Sequence, residues 1–179
     1  QRTLNANPLT KMPGNAQIHN EILSRIMNPD TWAVLYIDIN GFKAFNDRYG
    51  FMRGDEAIVL LSKVIQTVVH EKGSPTDFAG HIGGDDFVVV TRPEHQQSIA
   101  ISILESYSDH VLSLYAPKDR KTGYIAVTNR VREVQLYPIM TLTIAGVSSQ
   151  NGAMSHPSEI GAVAAELKCH GKKLGGNQF

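Results

Sequence analysis

Three carboxylates in this chain stand where carboxylates are costly or crowded. Asp38 ends the apolar run Trp32-Ala33-Val34-Leu35-Tyr36-Ile37, which reads as a central strand covered on both faces. A charge at that position costs several kcal/mol unless something pairs with it. Asp85 and Asp86 follow Gly83-Gly84 between the apolar segments Phe78–Ile82 and Phe87–Val90, a hairpin signal. If the hairpin lies beside the Asp38 strand, the three acids converge at one sheet edge. Magnesium prefers oxygen ligands and usually takes one or two carboxylates plus substrate phosphates. Two cations held in this way activate an attacking hydroxyl and stabilise a leaving phosphate. The paired glycines, lacking Cβ, let the backbone approach a nucleotide closely. Simpler readings compete: Asp38 caps a helix or meets a lysine, and Asp85 and Asp86 are solvated turn acids.

The elements that must position these acids are legible from periodicity. Asn7 to Gly14 reads as turns leading into a helix with Ile18, Ile22, Leu23 and Ile26 at helical spacing, stopped at Asn28-Pro29-Asp30. After Asp38 come a short helix over Phe42–Tyr49 and a long one carrying Ile58, Leu61, Val64, Ile65 and Val68 as a stripe. Ile99, Ile103, Leu104 and Val111 imply a further helix. Tyr115 to Pro138 is ambiguous, an extra hairpin around Tyr124–Val127 being one reading. Met140, Leu142 and Ile144 alternate as a strand, and Ile160, Val163, Ala164 and Leu167 mark a last helix starting near Ser155 or Ser158. Helices alternating with a hairpin and returning strands predict an α/β (α+β), palm-like arrangement: a mostly antiparallel central sheet flanked by helices.

Composition excludes several classes. The 179 residues are 42% hydrophobic and 19% charged, which suits one globular domain rather than a disordered or fibrous chain. Seventeen basic residues against 17 acidic ones leave no net charge for a broad nucleic-acid face, so no nucleic-acid partner is expected. No apolar run approaches the roughly 18 to 20 residues of a membrane span. The segment is therefore expected to be soluble and cytoplasmic without direct membrane contact, membrane attachment of a longer parent being left open. Cys169 alone supports no disulfide framework. Gln1 is not an initiator methionine, so a fragment or processed chain is expected.

Gly83-Gly84-Asp85-Asp86-Phe87 resembles the signature of the GGDEF domain, the diguanylate cyclase family, in a GGDDF variant. The stretch Asp38-Ile39-Asn40-Gly41-Phe42-Lys43-Ala44-Phe45-Asn46-Asp47-Arg48-Tyr49-Gly50, with Gly54-Asp55, is similar to that family's metal and base-recognition block. Asn7-Pro8-Leu9-Thr10 resembles its opening motif and Lys172-Lys173-Leu174-Gly175-Gly176-Asn177 its closing helix and turn. The four blocks run in family order over nearly the whole chain.

The resemblance implies one GGDEF domain over residues 1–179, a nucleotidyl cyclase palm within a longer multidomain signalling protein. It implies condensation of two GTP into cyclic di-GMP with release of pyrophosphate, across an active site made by two copies. Magnesium or manganese, two per GTP, would be held by Asp38, the Ile39 carbonyl, Asp85 and Asp86. Asp85, Asp38 and Lys43 would be catalytic, with Asp85 easing the proton from the ribose 3′-hydroxyl. Asn46 and Asp55 would read the guanine edge. Lys43 and Lys172, the amides of Gly41 and Phe42, and Gly83 and Gly84 would meet the rest of GTP. The implied partners are GTP, a second copy and an upstream sensory or regulatory domain. By residue type alone, Asn46 is as well explained as a cap, Asp55 as an early helical acid, and Lys172 and Lys173 as solvated cations.

Departures from the family pattern are specific. Asp86 is one methylene shorter than the usual Glu, a change expected to be tolerated because its charge is kept. The family's Arg-x-x-Asp product-inhibition site is represented by Ser74-Pro75-Thr76-Asp77; Asp77 is retained, but Ser74 lacks arginine's fork of donors, so feedback inhibition is expected to be weak or absent. Gly176 stands for an arginine, and Ala165 and Cys169 for an aspartate and a tyrosine, which weakens the expected phosphate contacts. The rival reading is a catalytically degenerate GGDEF domain that senses GTP or a cyclic dinucleotide. A third is a docking module for a partner phosphodiesterase.

Overall fold

The computed structural model describes residues 6–28, 30–128, 131–152 and 154–179. Its elements run α1 (Asn15–Met27), β1 (Ala33–Asn40), α2 (Phe42–Tyr49), α3 (Phe51–Lys72), β2 (Phe78–Gly83), β3 (Asp86–Thr91) and α4 (Pro93–Val111). After a 3-10 turn over Leu112–Leu114 come α5 (Pro117–Thr122), β4 (Tyr124–Thr128), β5 (Val134–Pro138), β6 (Thr141–Ser148), a second 3-10 turn and α6 (Pro157–Leu174). The expected helix stop holds, since α1 ends at Met27; Pro29 itself lies outside the described residues.

The central sheet has the order β2-β3-β1-β6, and every neighbouring pair is antiparallel. The apolar run before Asp38 lies in β1, one of its two inner strands, as expected, and residues on both of its faces are buried. Successive side chains of a strand point to opposite faces, which divides the core in two. Leu35, Ile37, Ile39, Phe87 and Val89 pack with Leu61 and Ile65 of α3 and Ile99 and Ile103 of α4. Val34, Val88, Val90 and Val147 pack with Ile18 and Ile22 of α1 and Ile160 and Ala164 of α6. Full burial of each such side chain is worth about 1.5–3 kcal/mol, so these two layers hold the sheet between helix pairs.

The ambiguous stretch after Tyr115 resolves into α5 and a separate two-stranded sheet, β4-β5, in which Ile125 pairs with Tyr137. The hairpin expected around Tyr124–Val127 is present. The six-residue α5 was not expected, because PKDRKT carries no apolar period. It is held by tertiary contacts instead: Asp119 is buried, accepts a hydrogen bond from Tyr49 and lies 3.6 Å from Arg48. Proline at the start and Gly123 in the left-handed conformation at its end delimit it.

Candidate functional site

The turn between β2 and β3 is Gly84-Asp85, and Gly83 and Gly84 both have positive φ, 150° and 58°. Side chains are strained there, which is why glycines occupy both positions. His81 braces the turn. Its Nε2 lies 2.9 Å from the Gly84 carbonyl, its Nδ1 3.0 Å from the Thr10 hydroxyl, and its ring stacks on Phe87. A carbonyl only accepts, so Nε2 carries the proton and Nδ1 of the neutral ring accepts from Thr10. Burial lowers the His81 pKa, which favours that neutral form. Thr10 is itself set by the opening turn, where Asn7 Oδ1 accepts from the Leu9 and Thr10 amides. The Asn-Pro-Leu-Thr motif, whose segment lies beside the edge strand β2, thus braces the aspartate turn through His81.

Strand parity decides where the acids face. Asp38 and Asp86 are direct cross-strand partners, and their even positions share the face of Val34, Val88 and Val90, beneath α6. That helix brings two lysines down on them. Lys172 Nζ is 2.6 Å from Asp38 Oδ1, and Lys168 Nζ is 2.5 Å from Asp86 Oδ1 and 3.4 Å from Asp38 Oδ2. Burial alone would lower the Lys168 pKa, but Asp86 and Asp38 outweigh it and hold the ammonium above its ordinary value. Asp85 is half-buried, and burial together with the charges of Asp38 and Asp86 raises its pKa despite opposing help from its own backbone amide and Lys172.

Asp85 lines an open cavity of about 1170 Å³. Ile39, Gly41, Phe42 and Lys43 form one side and Lys172 reaches in from α6. Gly41, in the left-handed conformation at φ 79°, starts α2 without a side-chain cap, so the first amides of that helix have no partner from a capping side chain. The opposite wall is the β4-β5 hairpin through Val127, Thr128, Gln135 and Tyr137. Residues 115–138 therefore build part of the cavity, which pattern reasoning missed.

The other expected residues are placed differently. Asn46 and Asp55 do not line this cavity. Asn46 Oδ1 is buried without a hydrogen-bond partner, packed against Gly54, where an added Cβ would come within 1.8 Å of it. Asp55 is exposed on α3 beside Leu9 and Met52. Lys173 faces a smaller cleft with Asp38, Lys168 and Cys169. Gly176 contributes its backbone, its carbonyl accepting from Asn40 Nδ2 at 3.1 Å and Thr141 Oγ1 at 3.0 Å. Asp77 has both carboxylate oxygens engaged, by Ser74 Oγ and Thr91 Oγ1, each at 2.6 Å.

The donor set suits a hard cation in part. Asp38 Oδ1 is buried and makes no aligned hydrogen bond, while Asp85 faces the cavity, and carboxylate oxygens are what magnesium takes. Among the described residues no three acidic, His or Cys side chains already surround one point. Lys168 was not singled out from sequence, although its spacing of four from Lys172 puts both on one helix face.

Comparison with known proteins agrees with this architecture. A sequence model described as "Diguanylate cyclase, GGDEF domain" matches residues 5–130. The chain is 27% identical over 170 residues to the diguanylate cyclase TpbB of Pseudomonas aeruginosa, covering 92% of this chain and 36% of that protein. It is 32% identical over 146 residues to the probable diguanylate cyclase DgcC of Escherichia coli, covering 81% of this chain and 33% of that protein. It therefore spans about a third of the length of these relatives. The isolated GGDEF domain of TpbB superposes with a TM-score of 0.71 at 21% identity, covering 97% of this chain and 92% of that one. The GGDEF domain of DgcB from Caulobacter crescentus, solved in complex with c-di-GMP, gives 0.67 at 22% identity, covering 99% of this chain and 95% of that one. With the signature turn, the antiparallel sheet and a family match over most of its length in agreement, the chain belongs to the GGDEF family of diguanylate cyclase domains.

Proposed function

We propose that the chain is one GGDEF unit of a longer signalling protein and forms half of a cyclase site that joins two GTP into cyclic di-GMP. The observation that carries this reading is the position of Asp85 on the wall of a cavity shared with the amide end of α2, Lys43 and Lys172. Free helix amides and two ammonium groups suit a triphosphate. Asn46 and Asp55, which lie outside this cavity on α2 and α3, would read a guanine that extends beyond it, its N1 and N2 both donating to oxygen acceptors.

The reaction pairs two copies, so that each 3′-hydroxyl faces the other's α-phosphorus. A 3′-oxygen bonds to that phosphorus, its proton passes to Asp85, and the bridging P–O bond to the β-phosphate breaks to release pyrophosphate. A second such step closes the ring. Asp85, on the cavity wall beside Lys43 and Lys172, is the carboxylate placed to accept that proton. Asp38, Asp85 and the Ile39 carbonyl would hold magnesium, which supplies charge neutralisation at the phosphate. Lys43 neutralises charge on the transferring group. Holding both reactants in line is worth about 7–11 kcal/mol, so a monomer binds substrate but turns over slowly. An upstream regulatory segment would set the geometry of the pair.

Among the described residues no helix is long and apolar enough to cross a membrane. GTP offered with magnesium at high protein concentration should yield cyclic di-GMP and pyrophosphate in a ratio of one to two. A nucleotide sensor is the second reading, favoured by the missing side chain at Gly176; it predicts GTP bound tightly by a confirmed dimer with no product.

A further inference from the structure

The register of β1 and β3 sets Asp38 directly opposite Asp86 on one face of the sheet. Like charges opposed across a ladder destabilise it, and here α6 covers the pair and supplies two cations one turn apart. Three of the four oxygens of these acids lie within ion-pair distance of an ammonium: Asp38 Oδ1 from Lys172, and Asp38 Oδ2 and Asp86 Oδ1 from Lys168. The two lysines are not equivalent. Lys172 is 45% exposed and also lines the large cavity, free to turn towards a phosphate. Lys168 is only 18% exposed, absent from that cavity, and bridges both acids.

We propose that the Lys168 ammonium is a tethered cation that takes the place of one divalent ion, so that the site binds a single divalent cation per nucleotide and Asp86 is not a ligand to it. The inference rests on the nucleotide-binding reading above. An ammonium has no lone pair to give a metal. Held 2.5 Å from Asp86 Oδ1 and 3.4 Å from Asp38 Oδ2, it fills the space between the two acids and repels a second ion there. Asp85 and the remaining Asp38 oxygen, vacated when Lys172 turns to phosphate, stay open for one ion. Three acids against two lysines leave one negative charge, which a single divalent ion is enough to offset.

The test counts manganese by electron paramagnetic resonance against the bound GTP analogue carrying a methylene between its α- and β-phosphates. The wild type is expected to bind one manganese per nucleotide. Lys168→Met is expected to bind two, and Lys168→Arg one, with folding checked by circular dichroism. Should Lys168→Met fail to fold, Asp86→Asn decides: its manganese affinity should stay within about twofold of the wild type, since a non-ligand is removed. Two ions in the wild type, or a tenfold loss of affinity in Asp86→Asn, would overturn the inference while leaving the cyclase reading intact. No manganese with bound nucleotide in any variant would overturn both.

Discussion

The side-chain carbonyl of Asn46 occupies the space that a methyl group on Gly54 would fill: an added Cβ would lie 1.8 Å from Asn46 Oδ1. The two residues belong to consecutive helices, α2 and α3, joined through Gly50. Gly54 thus seats the side chain proposed to read the base, and Asn46 Oδ1 has no hydrogen-bond partner within the protein. Gly54→Ala should push Asn46 aside at a cost of about 1–3 kcal/mol in stability. GTP affinity should fall roughly tenfold, the equivalent of one lost hydrogen bond. Titration of GTP into the folded variant checks this, and unchanged affinity would remove Asn46 from the base site.

Lys172 lies 2.6 Å from Asp38 in the free protein, and under the proposed function it turns to phosphate in the complex. Lys172→Met should leave the buried Asp38 with Lys168 alone. Because Lys172 is nearly half exposed, the stability loss should be about 1–2 kcal/mol rather than the larger cost of breaking a fully buried pair. GTP affinity should fall more than tenfold. Denaturant unfolding and nucleotide titration on the same sample separate the two effects; a loss of stability with full GTP affinity would limit Lys172 to a structural role.

Pattern and structure part company at identifiable residues. The run to Asp38 was legible because helices cover both faces of its strand, the hairpin because its turn takes glycines at positive φ, and the stripe Ile58–Val68 because one face of α3 packs on the sheet. The α5 helix was not, since its stability lies in Asp119 contacting Tyr49 and Arg48 rather than in any apolar face. Lys168 was missed for a related reason. A lysine on a helix reads as solvated until the opposite element is known to present Asp86 and Asp38. His81 lies in β2, and its brace on Gly84 was not legible because only the fold brings Thr10 to its other ring nitrogen.

His81 should give the fold a pH dependence. Burial depresses its folded pKa, so the native state binds fewer protons than the unfolded chain. Its contribution is then fully present above the ordinary histidine value of about 6.5 and is lost as pH falls through the lower folded value. Thermal midpoints measured from about pH 7 down to pH 5 should drop more steeply for the wild type than for His81→Gln. Parallel slopes would show that His81 does not titrate with unfolding.

Asp77 should behave as a structural residue. Each of its oxygens already accepts a hydrogen bond within the fold, from Ser74 and from Thr91, and Ser74 offers a product molecule no arginine fork. Asp77→Ala should lower stability by about 1–3 kcal/mol, because the Thr91 hydroxyl, on a residue with no exposure, is left unpaired. Added cyclic di-GMP should slow the wild-type reaction no more than it slows Asp77→Ala. Strong inhibition that the substitution abolishes would restore an inhibitory site at this position.

The most direct test of the cyclase account follows product from GTP and magnesium, with GTP binding and dimer state measured on the same samples of wild type and Asp85→Asn. The charged Asp85 carboxylate is disfavoured by burial and by Asp38, so its stabilising contribution is full below the ordinary carboxylate value and is lost as pH rises through the raised folded value. The neutral amide removes that cost, and Asp85→Asn should unfold at a higher temperature than the wild type. The wild type should form cyclic di-GMP, and Asp85→Asn should do so at a rate lower by about 100-fold or more, the usual scale of a lost general base. A confirmed wild-type dimer that binds GTP and forms no cyclic di-GMP would contradict it.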